Sequence, residues 1–284
     1  MKIPRDTMLV VPREILLVMQ SKENQRSPDI QAVVLNNITK YFLINDECLP
    51  QNDQIRGGKF FALDDVSLSI EEGCCTIIAG ANGSGKSVLM SIIAGLESPS
   101  GGGVKTSGRT GLVFQEPDAQ ILGETPREDI GFGPRNMGFS KQETLIRVEA
   151  ALAASGLCER ADFYARSLSG GEKRRLAAAS VLAMDAEIII FDEPYANMDY
   201  PGVLQINALF EKLIHEKKTL LILTHELEKC LALAGRFIVL YMGKKVFDGE
   251  AKRALECDLE SWGIRHPLKK KTAELGDLIW RAAF

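Results

Sequence analysis

The sequence predicts an α/β fold with a buried, largely parallel sheet, and three of its features support this. Two short apolar runs, residues 74–79 and 188–191, have the length and even hydrophobicity of strands that are covered on both faces. The first run leads into a glycine-rich loop, residues 80–87, which is followed by a helical pattern. The second run ends at two adjacent carboxylates, Asp192 and Glu193. Because ligands of open α/β folds bind at the carboxyl ends of parallel strands, we expect both segments at one site.

The loop at residues 80–87 has the composition of a phosphate cradle. Glycine lets the backbone wrap around an anion with its N–H groups pointing inward, and the helix predicted over residues 88–96 directs its positive dipole end at the same point. Lys86 is placed to reach the β- and γ-phosphates of a nucleotide, and the Ser87 hydroxyl to ligate Mg²⁺. The residues predicted to bind nucleotide here are Gly80, Asn82, Gly83, Ser84, Gly85, Lys86, Ser87 and Val88.

The two carboxylates after the second apolar run complement this loop. Asp192 is predicted to hold Mg²⁺, directly or through water, and Glu193 to polarise an attacking water molecule. The alternative is a strand that merely ends in a polar turn, and the upstream phosphate loop argues against it.

A third segment, residues 168–172, carries a glycine pair before a helix predicted over residues 173–184. Such glycines leave backbone N–H groups that can face an anion, although an isolated segment of this kind is commonly a simple helix cap. In the order in which they occur, the three segments resemble the ATP-binding cassette (ABC) ATPases, and the resemblance covers residues 33–249. It implies an α/β fold with a RecA-like P-loop ABC ATPase core, an antiparallel β subdomain and a helical signature subdomain.

The resemblance also implies how the site works. The cofactors are ATP and Mg²⁺, and the signature of one subunit closes over the ATP of a second in a head-to-tail pair. Glu193 is then the general base, His225 contacts the γ-phosphate, and Gln115 senses the metal and the attacking water. The implied metal-binding residues are Ser87, Gln115 and Asp192. Further nucleotide contacts are implied for Ser169, Gly170, Gly171, Asp199 and an adenine-stacking aromatic residue, Phe42 or its neighbour Tyr41.

The chain divides into three predicted parts: an N-terminal extension (residues 1–30), the ABC ATPase domain (31–249) and a C-terminal helical extension (250–284). The helical subdomain is expected at about residues 117–180.

Within the domain, residues 31–40 and 62–70 are predicted as strands of the antiparallel subdomain, separated by a polar insertion at residues 43–59. Residues 104–115 are predicted to return to a strand. A capping box at Ser140 and Glu143 predicts a helix to about residue 154, and its core-facing positions are expected to be Leu145, Val148 and Leu152.

Two stretches are similar to a narrower group, the ATPase subunits of energy-coupling factor (ECF) transporters. They are residues 115–134, beside the helical subdomain, and the tail at residues 262–268. This resemblance implies uptake of a metal ion or a vitamin. The implied partners are a second ATPase, identical or homologous, together with a transmembrane subunit and a substrate-binding membrane subunit that determines the cargo.

Three alternatives stay open at this point. The chain could serve another ABC importer or exporter, act as a soluble ABC ATPase outside transport, or be a non-hydrolysing partner in a heterodimer. The last is suggested by two departures from the family pattern, Glu172 for the usual Gln and Tyr195 for Thr or Ser.

Composition limits the function further. A net charge of −4 argues against nucleic-acid binding as the main role. No apolar run approaches the about 20 residues that span a bilayer, so transport would need separate membrane subunits, with this chain at the cytoplasmic face of the membrane. The six cysteines lack metal-ligand spacing, which suits a reducing compartment.

Overall fold

The computed structural model describes residues 30–44 and 54–268. The predicted N-terminal extension up to residue 29, most of the polar insertion (residues 45–53) and the end of the C-terminal extension (residues 269–284) lie outside the described residues.

A six-stranded sheet forms the centre of the domain, with the strand order β10-β9-β4-β8-β7-β6. The pairs from β9 to β6 are parallel, and β10 is antiparallel to β9 at one edge. The strands are β4 (Cys75–Ala79), β6 (Thr110–Val113), β7 (Ile188–Asp192), β8 (Thr219–Leu223), β9 (Arg236–Tyr241) and β10 (Lys244–Gly249). Every residue of β4, β7 and β8 is buried, as their apolar sequences predict.

A second, antiparallel sheet has the order β2-β3-β1-β5. Its two long strands, β1 (Gln31–Leu43) and β3 (Lys59–Glu71), are flanked by β2 (Ile55–Arg56) and β5 (Gly101–Thr106). Apolar side chains of both sheets share one core with helix α1 (Lys86–Ile93). The predicted antiparallel subdomain is therefore present and packs on the central sheet.

The prediction of one strand over residues 104–115 is wrong. The structure has β5 and β6 in different sheets, separated by the turn at residues 107–109. Backbone hydrogen bonds fix the turn on both sides: the N–H of Ser107 donates to Ala32 O, and Arg109 O accepts from Glu187 N–H. The polar Ser-Gly step is the sequence signal for this break.

Three helices with a small core of their own form the helical part: α2 (Pro126–Asn136), α3 (Lys141–Ser155) and α4 (Gly170–Ala183). The predicted capping box of Ser140 and Glu143 opens α3. Val148 and Leu152 are buried as predicted, but Leu145 is 51% exposed. The buried face of α3 instead begins at Thr144, one residue earlier, so Leu145 lies on its edge.

Two further helices follow β7 and β10: α5 (Tyr200–His215) and the short α6 (Ala251–Ala254). Beyond α6, Leu259 and Ile264 insert into the main core, and Trp262 packs against Phe247. Gly263 has a φ of +70°, and a Cβ at this position would lie 3.0 Å from the Cβ of Ala81. The described part of the tail therefore packs against the phosphate loop. Across residues 30–44 and 54–268, no helix is long and apolar enough to cross a membrane.

Candidate active site

The glycine-rich loop connects β4 to α1 and depends on close backbone packing. Gly85 caps α1 with a φ of +101°, and a Cβ there would lie 2.4 Å from Ala62 O. A Cβ at Gly80 would lie 2.4 Å from Leu240 O. Only glycine fits at these two positions, so the loop conformation is fixed by the surrounding strands.

Lys86, the first residue of α1, is buried beside this loop. Its Nζ donates to Gly80 O at 2.7 Å and to Ala81 O at 3.2 Å, and lies 3.7 Å from Glu193 Oε1. Burial lowers the pKa of the Lys86 ammonium, while the carboxylates of Glu193 and Asp192 oppose that shift. The structure thus holds a cation beside the loop amides, where a phosphate would bind.

Asp192 lies at the end of β7, with its Oδ2 3.4 Å from the Ser87 hydroxyl, which donates to it. Burial raises the pKa of the Asp192 carboxyl, and the charge of Glu193 adds to the rise. In the phosphate loop and at the end of β7, three buried side-chain oxygens have no hydrogen-bond partner among the described residues: Asp192 Oδ1, Glu193 Oε2 and Ser84 Oγ. Carboxylate and hydroxyl oxygens are the ligand type that Mg²⁺ prefers, so Asp192, with one unpaired oxygen and the Ser87 hydroxyl beside the other, fits this ion.

Glu193 faces both the phosphate loop and the loop that follows β8. Its Oε1 lies 3.0 Å from His225 Nδ1, and its backbone N–H donates to Leu223 O at 2.8 Å. The backbone of Glu193 has a φ of +43°, a conformation that non-glycine residues rarely adopt outside constrained sites. The hydrogen bond to β8 holds this backbone at the end of β7, and the side-chain contacts bring Lys86, Glu193 and His225 together.

Other predicted residues are held by local contacts. The Ser169 hydroxyl accepts from Glu172 N–H, and the Glu172 carboxylate accepts from Ser169 N–H, which makes a capping box at the start of α4. Asp199 caps α5 by accepting from Gly202 N–H. A Cβ at Gly171 would lie 3.8 Å from Gly202 Cα, so the starts of these two helices are neighbours.

The two candidates for adenine stacking differ in availability. Lys59 Nζ lies 4.0 Å from the centroid of the Tyr41 ring, and Phe61 packs against the same ring. The Phe42 side chain is 43% exposed. Phe42 is therefore the more accessible ring.

Gln115 lies two residues beyond β6, not at the strand end that the sequence suggests. It is exposed, and its backbone carbonyl accepts from Arg174 Nη2 at 2.5 Å. Sequence reasoning missed Arg174 as a site residue. The available signal was the pair of arginines, Arg174 and Arg175, that directly precedes the apolar run at residues 176–179, because an arginine that is drawn into a core needs partners for its charge.

The comparisons with known proteins agree with this geometry. The family model for ABC transporters matches residues 63–196. The energy-coupling factor transporter ATP-binding protein of Carboxydothermus hydrogenoformans is 38% identical over 227 residues, which cover 75% of this chain and 84% of that protein. The chain belongs to the ABC transporter ATPase family. The predicted family, its fold class and its activity as a transport ATPase are thereby confirmed.

Two further ABC proteins show the range of the similarity. The cobalt import ATP-binding protein of Rhodobacter capsulatus is 38% identical over 224 residues, covering 73% of this chain and 80% of that protein. The solved dimer of the ATP-binding cassette MJ0796 bound to ADP and Pi superposes with a TM-score of 0.65 at 27% identity, over 77% of this chain and 98% of that one. Both proteins are ATP-binding components by name, in agreement with the family to which this chain belongs.

The two departures from the ABC pattern have structural roles. Glu172 completes the cap of α4, and its Oε1 also pairs with Arg160 Nε at 3.3 Å. Tyr195 is 1% exposed, and its hydroxyl donates to Asn207 Oδ1 at 2.6 Å. Asn207 in turn donates to Lys229 O at 2.8 Å, so Tyr195 connects the loop after β7 to the segment that follows His225.

We expect Tyr195→Phe to lower the free energy of unfolding by about 1–2 kcal/mol, because the change leaves the inward-facing Asn207 Oδ1 without its donor. Burial raises the pKa of the Tyr195 hydroxyl, so it remains a donor at neutral pH. Urea unfolding of the purified protein measures the effect. Tyr164→Phe, at a tyrosine that is 56% exposed, is the matched control and should change little. Equal stability of the two variants would contradict the role of the Tyr195 hydroxyl.

Proposed function

We propose that this chain is the ATP-hydrolysing subunit of an ECF-type importer for a metal ion or a vitamin. The observation that carries the chemistry is Glu193, whose Oε1 lies 3.0 Å from His225 Nδ1 and 3.7 Å from Lys86 Nζ. The names of the relatives, an energy-coupling factor transporter protein and a cobalt import protein, support the type of transporter.

The residues of the site divide the work of hydrolysis. Lys86 and the loop amides bind and orient the phosphates of ATP. Ser87, Asp192 and Gln115 would hold Mg²⁺, whose charge neutralises phosphate oxygens when it is bound. Glu193 accepts the proton of the attacking water. His225, in contact with Glu193, orients the Glu193 carboxylate and the γ-phosphate. Phe42 would stack on the adenine, since Phe42 is exposed whereas Tyr41 is partly buried.

The residues of the signature would serve a second subunit. The capping box fixes the N terminus of α4, which includes Ser169, Gly170 and Gly171. The positive dipole end and the backbone N–H groups of this terminus would bind an anion. Asp199 lies beside it at the start of α5. In a head-to-tail pair, this end would cover the ATP held by the partner, and the dimeric state of the MJ0796 cassette supports such an arrangement. The second subunit can be identical or homologous.

Residues 115–134, the coupling surface, would contact the membrane subunits. Within this surface, the Asp129 carboxylate accepts from Leu122 N–H at 2.7 Å and from Gly123 N–H at 3.0 Å, which fixes the loop. Leu122 is nevertheless 67% exposed, so a well-held loop presents an apolar side chain. A contact here with a transmembrane subunit places the chain at the cytoplasmic face of the membrane.

Purification from native membranes in mild detergent, followed by mass spectrometry, tests this function. We expect the chain to bring a transmembrane subunit and a small substrate-binding membrane protein with it, and Leu122→Glu to reduce that recovery strongly. Val246→Glu is the control, since Val246 is 38% exposed on β10, at the opposite edge of the sheet from β6. Recovery with a conventional permease pair would point to another ABC transporter, and recovery alone would contradict a role in transport.

A further inference from the structure

One guanidinium group connects two loops of the active site. Arg174, in the second turn of α4, is buried, and its Nη1 donates to Pro194 O at 2.8 Å and to Ala196 O at 3.0 Å. Its Nη2 donates to Gln115 O at 2.5 Å. Pro194 and Ala196 belong to the loop that directly follows the general base Glu193. A single side chain therefore binds the backbone on both sides of the site.

The charge of Arg174 makes these contacts obligatory. Burial lowers the pKa of the guanidinium, yet an arginine remains charged at neutral pH. Within the described residues it forms no ion pair, and the three carbonyl oxygens are what solvates its charge. Movement of either loop away from Arg174 would leave a buried charge with too few partners, which is strongly unfavourable. The position of one loop is thereby made dependent on the position of the other.

The residue before Arg174 reinforces the connection. Lys173 Nζ lies 2.6 Å from Asp118 Oδ1, three residues beyond Gln115. Helix α4 thus holds the Gln115 loop through two consecutive side chains. Arg174 binds the backbone carbonyl of Gln115, and Lys173 binds the carboxylate of Asp118. The next residue, Arg175, is different, because its Nε donates to Ser155 O in the helical part.

We propose that Arg174 is a positioning residue that sets the distance between Gln115 and Glu193 and makes both loops move with the signature helix α4. It acts through these two residues and does not itself contact ATP. The proposal rests on the ATPase activity of the site and is independent of the identity of the membrane partners. A lysine has one compact ammonium group and is not able to donate in a fork to carbonyls of two loops.

The first test is the kinetics of Arg174→Lys. We expect kcat for ATP hydrolysis to fall about 10- to 100-fold, the loss typical of small displacements of catalytic groups, with the KM for ATP little changed. Arg236→Lys is the matched control. Arg236 also donates from its guanidinium to a backbone carbonyl, Ser69 O, but it lies at the amino end of β9, opposite the phosphate loop. It should alter stability without altering kcat.

A double-mutant cycle separates positioning from a general structural effect. If Arg174 acts through Gln115, Arg174→Lys should reduce kcat much less in a Gln115→Ala background than in the unaltered chain. Full additivity of the two changes would overturn the proposal, as would a parental kcat for Arg174→Lys.

Amide hydrogen exchange provides a readout that does not need turnover. We expect Arg174→Lys to speed exchange in residues 114–119 and 194–198 while leaving α1 protected. Unchanged exchange in both loops, or faster exchange throughout the domain, would overturn the proposal. If the unaltered chain binds ATP but does not hydrolyse it, the function proposed for Glu193 is contradicted. The amide exchange rates in the two loops would still decide the role of Arg174.

Discussion

Glu193→Gln is expected to retain ATP binding and to lower the rate of ATP hydrolysis about 10²- to 10⁴-fold, the usual contribution of a positioned general base. Glutamine has nearly the same shape as glutamate, so the contact with His225 and the packing at the end of β7 can persist. An amide, however, does not accept a proton from water at neutral pH. The change therefore removes the chemical step and spares the binding step.

Steady-state hydrolysis and the binding of a fluorescent ATP analogue separate these two steps. Glu216→Gln makes the same chemical change at an exposed position after α5 and should leave both quantities at their parental values. Hydrolysis by Glu193→Gln at near the parental rate would show that another group accepts the proton.

Lys86→Ala is expected to weaken ATP binding itself, with a dissociation constant raised about 10- to 100-fold. This range corresponds to the loss of a charge-assisted hydrogen bond of about 1.5–3 kcal/mol. The ammonium group donates to Gly80 O and Ala81 O, so it is held at the place where phosphates would bind. Its removal also takes away the ammonium group that lies 3.7 Å from Glu193 Oε1.

Equilibrium binding, measured by fluorescence or calorimetry, gives the dissociation constant for Lys86→Ala. Lys105→Ala removes the same charge from an exposed position on β5 and serves as the control for net charge. Equal ATP affinity of Lys86→Ala and the parent chain would contradict the assignment of the phosphate loop.

Much of the site could be predicted because its determinants are local. The strands β4, β7 and β8 are continuous apolar runs, and such runs have few alternatives in a sheet covered on both faces. The phosphate loop follows one of these strands and opens a helix, so the types and the order of its residues were sufficient to predict the loop. His225 and Glu193 were assigned to one site through the resemblance to ABC ATPases, and in the structure β7 and β8 pair in parallel and end at the same edge.

The parts that could not be predicted depend on contacts far apart in the sequence. Whether Arg174 binds solvent or the carbonyls of Gln115 and Pro194 is decided by how α4 packs on two loops. The exposure of Leu145 depends on which face of α3 meets the other helices, and the apolar spacing fits two neighbouring faces. Glu172 looked like a departure from a motif, although its spacing from Ser169 was that of a capping box.

The contact between Gly263 and Ala81 makes the tail part of the packing around the phosphate loop, although it lies near the end of the chain. Ala81 is the second residue of the phosphate loop, and the space beside its methyl group is filled by a glycine whose φ of +70° disfavours any other residue. The two positions are therefore constrained as a pair, since a larger side chain at either would displace the other segment. A chain shortened before residue 259 would lose the segment that packs against the phosphate loop while keeping every residue that we propose to bind ATP. For engineering, the cassette extends at least to Ile264, well past its last β-strand.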